Sequence, residues 1–233
     1  MTPRTAKGNV SVGKVWRWAA YGAVLVIGAA GCGGDDESGA SEQAVRSPAQ
    51  VCDSTLKPPA RTALKRIGGT GRYTELSGKQ ENGEPYRFSL PLAAKRLHSE
   101  YLRRNKCAVY RADGKNDFPL LDINIEPSST VPEKASEAGS REFFFPLGEF
   151  ASVNSDPGST YATLFFACTT KGPEGNSPYV KATLYVPTNQ ARPSSTVEDR
   201  MTVLNDVARG LAGELGCADE AALPARVPEP VNG

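Results

Sequence analysis

The sequence predicts an α+β fold: an antiparallel β-sheet of two hairpin or meander units, covered by helices and braced by two disulfides. Three observations carry that expectation. Residues 121–126 and 179–186 alternate apolar and polar side chains, the period of a half-buried strand. Residues 197–215 repeat apolar side chains at helical spacing. Four cysteines, Cys52, Cys107, Cys168 and Cys217, lie far apart with no C-x-x-C unit, which suits disulfides better than a zinc site or a redox pair.

The elements follow in chain order. Cys52 precedes a short helix in which Pro58 and Pro59 suit the first turn, Leu64 and Ile67 face inward, and Gly68-Gly69 stops the run. Asp53 or Ser54 is the expected cap. Ser89 and Pro91 start a second helix carrying Leu92, Leu97 and Tyr101, with Arg103-Arg104-Asn105-Lys106 as its solvated end. Cys107 opens a strand over 107–111, Asp113-Gly114 makes a turn, and Leu121, Ile123 and Ile125 then alternate with Asp122, Asn124 and Glu126. Pro127 ends that strand, and 127–139 reads as an exposed polar loop. Residues 149–153 and 160–168 pair around the turn Asp156-Pro157-Gly158. In 179–186, Val180, Ala182, Leu184 and Val186 share one face, opposite Tyr179, Lys181, Thr183 and Tyr185. Ser195 and Glu198 have capping-box spacing ahead of the last helix, whose stripe is Val197, Met201, Leu204, Val207, Leu211 and Leu215, with Gly216 at its C-cap.

That helix must cover the apolar face of the sheet, so Cys217, directly after it, approaches the side on which Ala162, Leu164, Phe166 and Cys168 lie. Cys168 with Cys217 is therefore the favoured pair, and Cys52 with Cys107 follows by elimination. A 61-residue offset aligns Cys107 with Cys168, Ile123 with Leu184 and Ile125 with Val186, as an ancestral duplication would. Antiparallel hairpins also produce such matches by coincidence.

The N-terminal segment carries an address. Arg4, Lys7, Lys14 and Arg17 precede an uncharged stretch over 18–31, the layout of a secretory signal. The stretch is shorter than the roughly 20 apolar residues a bilayer-spanning helix needs. Ala30, Gly31 and Cys32 resemble a bacterial lipoprotein signal, which implies cleavage before Cys32 and a diacylglycerol on its thiol. Ala29 departs from that pattern, which usually has a larger aliphatic residue there. Ordinary secretion is the alternative, with Gly28 and Ala30 flanking a cut before Gly31. The expected organisation is a signal peptide at 1–31, a flexible acidic tether at 32–50, one α+β domain at 51–218 and a proline-rich unfolded tail at 219–233. The framework of Cys52, Cys107, Phe166-Ala167-Cys168 and Leu215-Gly216-Cys217 resembles small secreted lipoproteins of high-GC Gram-positive bacteria. That resemblance implies an extracytoplasmic protein anchored to the membrane through Cys32, and it brings no activity with it.

Removing the signal takes four of the 27 basic residues and none of the 26 acidic ones, leaving a net charge of -3. No basic stripe remains to engage nucleic acid. His98 is the only histidine, so a Ser/His nucleophile would have to use it, and it sits among Lys95, Arg96 and Arg103 on an expected helix surface. H-E-x-x-H, G-x-S-x-G and P-loop patterns are absent, and Thr74 stands where Gly69-Thr70-Gly71 would need its third glycine. Ser54-Thr55-Leu56-Lys57 fits S-x-x-K, but Pro58 and Pro59 interrupt the helix that such a nucleophile needs and no K-T-G follows. No metal or cofactor is expected. Asp113, Asp117, Asp122 and Glu126 cluster around one hairpin and could supply the two carboxylates of a hydrolase. Tyr161, Phe165, Tyr179 and Tyr185 are expected to form an exposed aromatic surface on the outer sheet face, where a partner or ligand would bind. The expectation is a non-catalytic envelope protein that binds an envelope protein or ligand and meets the membrane through its N-terminal lipid; the alternative is a carboxylate-based hydrolase.

Overall fold

The computed structural model describes residues 44–231, apart from 77, 80–82, 84, 115–117, 134–140, 156–159, 174 and 188. Seven strands form one antiparallel sheet: β1 (Tyr73–Glu75), β2 (Cys107–Arg111), β3 (Leu121–Ser128), β4 (Glu142–Phe144), β5 (Phe150–Asn154), β6 (Thr160–Gly172) and β7 (Gly175–Val186). Their order is β1-β2-β3-β7-β6-β5-β4. The two expected hairpin units are fused, because β3 pairs with β7 from Asp122 opposite Tyr185 to Ser128 opposite Tyr179. Ile123 and Leu184, which a duplication would superpose, are cross-strand neighbours. Cys107 faces Ile123, whereas Leu184 faces Ala162 with Cys168 further along β6. The two hairpins differ in register, so the 61-residue match is not repeated in their pairing.

Alternation decides which side is buried. Val109, Ile123, Leu164, Phe166, Val180, Leu184 and their neighbours point to one face and form the main core. Among the described residues there are four α-helices: α1 (Pro58–Gly68), α2 (Leu90–Lys95), α3 (Val197–Glu214) and α4 (Ala218–Ala221). Helix α3 lies across β5, β6 and β7, with α1 beside it. It buries Met201, Leu204, Val207 and Leu211 completely, each worth about 2 kcal/mol.

The helix ends show where local chemistry wins. Both Ser195/Glu198 and Thr196/Asp199 have capping-box spacing; the second pair forms the box, with Thr196 Oγ1 accepting from Asp199 N and Asp199 Oδ2 accepting from Thr196 N. Asp199 also takes an ion pair from Arg66 on α1, which ties the cap to a neighbouring helix. Beyond α3, Gly216 adopts φ 76° and Cys217 N donates to Ala212 O, so the chain reverses onto β6. Helix α1 ends at a left-handed Gly69, as the sequence implies. Its cap position is Lys57 without a side-chain bond. Asp53 instead accepts from Leu90 N at the start of α2, where Ser89 also caps. Helix α2 stops at Lys95, and Tyr101 belongs to a separate short turn over Tyr101–Arg103.

The disulfides are Cys52–Cys107 and Cys168–Cys217, each with Cα atoms 5.4 Å apart. The first pins a turn in which Cys52, Asp53 and Ser54 all have positive φ.

Order extends beyond the expected domain limits at both ends. Arg46 bridges Tyr73, so the fold begins before Val51 and covers the free edge of β1. The expected unfolded tail is packed instead: Leu223 and Val227 rest on the core, Asn205 Nδ2 donates to Pro224 O, and Val231 bridges Phe144 at the free edge of β4. The seven strands are thus bordered by chain on both sides.

Candidate functional site

The helix-covered face of the sheet is closed by core, so the accessible strand surface lies on the outer face. A groove of about 530 Å³ opens there. Its floor is Ala108 and Tyr110 of β2 and Asp122 of β3, the polar-side residues of strands whose Cys107, Val109 and Leu121 point into the core. Residues 102–106 form one wall, and Leu76 and Tyr86 close another. Lys106 Nζ lies 3.3 Å from the centre of the Tyr101 ring, a cation–π contact at the rim.

Electrostatics distinguish the two carboxylates on β3. Burial raises the Asp122 carboxyl above its usual range, with Lys106 partly opposing the shift. Burial, with Asp122 nearby, also raises Tyr110. Burial would raise Glu126 too, but the hydrogen bonds and charges of Lys181 and Arg104 outweigh it and hold the group below its usual value. Four residues along a strand separate Asp122 from Glu126, about 13 Å at the usual rise. Asp113 sits on an exposed turn, and Asp117 lies outside the described residues. The hairpin carboxylates are therefore not gathered into one site.

The aromatic set divides as well. Tyr161 and Tyr185 are cross-strand neighbours with ring centres 4.8 Å apart, and Tyr185 is in turn opposite Asp122 at the groove floor. Phe165 was expected on an exposed surface, yet it is only 5% exposed. It packs edge-on against Phe150, which meets Phe144 in the same way, and Val131 lies on this small second core. Tyr179 stands opposite Ala167, away from the tyrosine pair. Lys181 and Thr183 interrupt the aromatic residues along β7. The four aromatics thus do not make one continuous surface.

His98 is half-buried, with Nε2 3.0 Å from Thr170 Oγ1. It borders a second depression of about 480 Å³ with Glu100, Arg104 and Ser177. Among the described residues, one trio has metal-ligand proximity, Cys52, Glu75 and Cys107. Both sulfurs are consumed by the disulfide, so no thiolate is left to coordinate an ion. Glu75 is itself buried: Oε1 accepts from Cys52 N at 2.8 Å, while Arg46 and Arg87 approach Oε2 at 3.4 and 3.7 Å. Burial raises this carboxyl against those contacts.

The groove residues Leu76, Tyr86, Leu102, Arg103, Lys106 and Tyr110 were not singled out by sequence. Reading 103–106 as a solvated helix end hid them, although the alternation of 107–111 already places Ala108 and Tyr110 opposite the cysteine face. Cys32 and the residues of the lipoprotein-like signal lie outside the described residues. Among the described residues, no helix is long and apolar enough to cross a membrane. Comparison with protein families, curated proteins and solved structures finds no match.

Proposed function

We propose that this chain is an extracytoplasmic lipoprotein, anchored through Cys32, that binds a partner or ligand without catalysis. The observation that carries the reading is the groove. It combines projecting apolar side chains, Leu102 being 87% exposed, with Arg103 and Lys106 on a face left open by the fold. A concave site that sets a few apolar side chains among polar and basic groups is the usual form of a binding site. The tyrosine pair beyond Asp122 extends that surface across β7 and β6.

A hydrolytic reading requires a second carboxylate about 5–10 Å from the first. Asp122 has the raised protonation of a candidate acid, but Glu126 is too far along the strand and is clamped as an anion. Binding is the reading that the arrangement supports better.

Two measurements test it. Intact mass of the processed chain should show an acylated N-terminal Cys32; an unmodified start at Gly31 would defeat the anchor. A photoreactive residue in place of Tyr86 should capture an envelope component in living cells, and the same residue in place of Asn189 should not. Equal capture from both positions would defeat the groove as the binding site.

A further inference from the structure

The exposed large apolar residues of the described chain are unevenly distributed. Leu76, Tyr86 and Leu102 line the groove and Tyr101 stands at its rim, leaving Val45, Phe118, Tyr161 and Val231 outside its lining. The groove adjoins the point where the N-terminal segment enters the fold. Arg46 pairs antiparallel with Tyr73, so Val45 falls opposite Thr74, whose partner on β2 is the groove residue Tyr110. Residues 33–44 separate Val45 from Cys32 and can reach on the order of 40 Å at full extension.

The charges at the same place are mostly basic. Arg103 and Lys106 line the groove. Arg46 and Arg87 stand behind them, near Glu75. Of the acidic groups nearby, Glu75 is buried, Asp122 is half-buried at the groove floor, and Glu100 beside Tyr101 is exposed, so the cations outnumber the carboxylates at the rim. Apolar side chains projecting among cations are the arrangement that enters a headgroup layer, with the rings and Leu102 in the acyl boundary and the cations among phosphates.

From this juxtaposition we infer that the groove rim, with Leu102 at its tip, is the surface that lies against anionic phospholipid headgroups. The inference rests on the proposed anchoring and names the partner of the same site. The two acyl chains of a diacylglycerol hold the protein at the membrane but leave its orientation free, and a basic apolar rim supplies a second point of attachment. It would also fix orientation, keeping β1 toward the bilayer and the β4 edge away. Six inter-strand gaps place those two edges about 29 Å apart.

The sequence offers a clean reporter. Trp16 and Trp18 are the only tryptophans, so the processed chain beginning at Cys32 has none. Leu102→Trp and Val231→Trp would each introduce a single indole, at opposite edges of the sheet. The acylated chain, purified from membranes, is reconstituted into vesicles of phosphatidylcholine alone or mixed with phosphatidylglycerol. Leu102→Trp emission should shift to the blue and resist iodide quenching in the anionic vesicles, reversibly with added salt, while Val231→Trp stays accessible. Lys106→Ala or Arg103→Ala in the Leu102→Trp background should weaken the embedded population roughly fivefold each.

An accessible indole at 102 in acylated chain on anionic vesicles would overturn the inference while leaving the anchor intact. Equal shielding in neutral vesicles would overturn the assignment to anionic headgroups. Shielding that appears only when another envelope protein is added, with crosslinks from Leu102 to that protein, would overturn it in favour of protein docking. A chain whose mass shows no acyl group, yet whose residue 102 still embeds in anionic vesicles, would remove the anchor and sustain the lipid-facing rim.

Discussion

Paired cysteine-to-alanine substitutions separate chain entropy from backbone strain in this fold. The two cross-links span 55 and 49 residues, and the chain-entropy relation gives about 4 kcal/mol for either one. The backbone breaks that equivalence. Cys52, Asp53 and Ser54 have φ of 47°, 58° and 61°, a left-handed conformation that costs roughly 1–2 kcal/mol for each non-glycine residue. At the other bridge, the left-handed residue beside the cysteine is Gly216, which adopts it freely. The three residues together cost about 3–6 kcal/mol; with Cys52→Ala and Cys107→Ala the turn, still held by Glu75 and Leu90, should recover about half of that, so the net loss should be about 1–2 kcal/mol. Cys168→Ala with Cys217→Ala has no such recovery and should lose about 4 kcal/mol. Urea unfolding with linear extrapolation measures both, and the slopes must be compared because an uncrosslinked denatured chain expands. Equal losses, or a larger loss for the Cys52 and Cys107 pair, would refute the idea that the turn holds releasable strain.

Three further outcomes follow from particular contacts. Gly148→Ala should cost more than about 2 kcal/mol, since a Cβ there meets Phe165 O at 2.4 Å in a left-handed conformation and β6 cannot give way; thermal unfolding will show it. Thr196→Ala should remove about 1 kcal/mol and Asp199→Ala about 2, the second being larger because Arg66 loses its partner with the cap, as denaturant titration of both can check. Burial raises Glu75 in the folded chain, so its stabilising contribution is complete below the unfolded carboxylate value and is lost as pH rises through the folded one. In Glu75→Gln the unfolding midpoint should therefore decline less from acid to neutral pH than in the parent chain, and an unchanged decline would show that other groups cause it.

Alternation made the heart of the sheet readable. Over 162–168 on β6 and 180–186 on β7 every second residue is apolar, and that pattern orients Cys168 toward the helix whose end carries Cys217. The fusion of the hairpins was less visible, because no local signal in 121–128 says that its second neighbour is β7. Such pairing is a choice made by global packing. Ser195 and Thr196 present the same capping spacing, and the carboxylate of the box that forms, Asp199, is the one that also meets Arg66, more than a hundred residues away in sequence. The tail misled through its prolines: Pro224, Pro228 and Pro230 preclude helix and yet permit an extended strap whose Leu223 and Val227 find core contacts. Phe165 was hidden for a similar reason, since a polar loop contributes Val131 to cover the three phenylalanines. The groove was hardest to see, being assembled from three separated segments that show no common motif.

The bridges at Arg46 and Val231 also bear on crowding. Molecules confined to a surface meet one another far more often than in free solution, and a bare strand edge invites neighbours to stack by backbone bonding. Here each rim of the sheet is already occupied by a piece of the same polypeptide. Trimming the last few residues, or fusing a bulky tag in their place, would peel away one of those guards and leave the β4 edge open to backbone pairing with another chain.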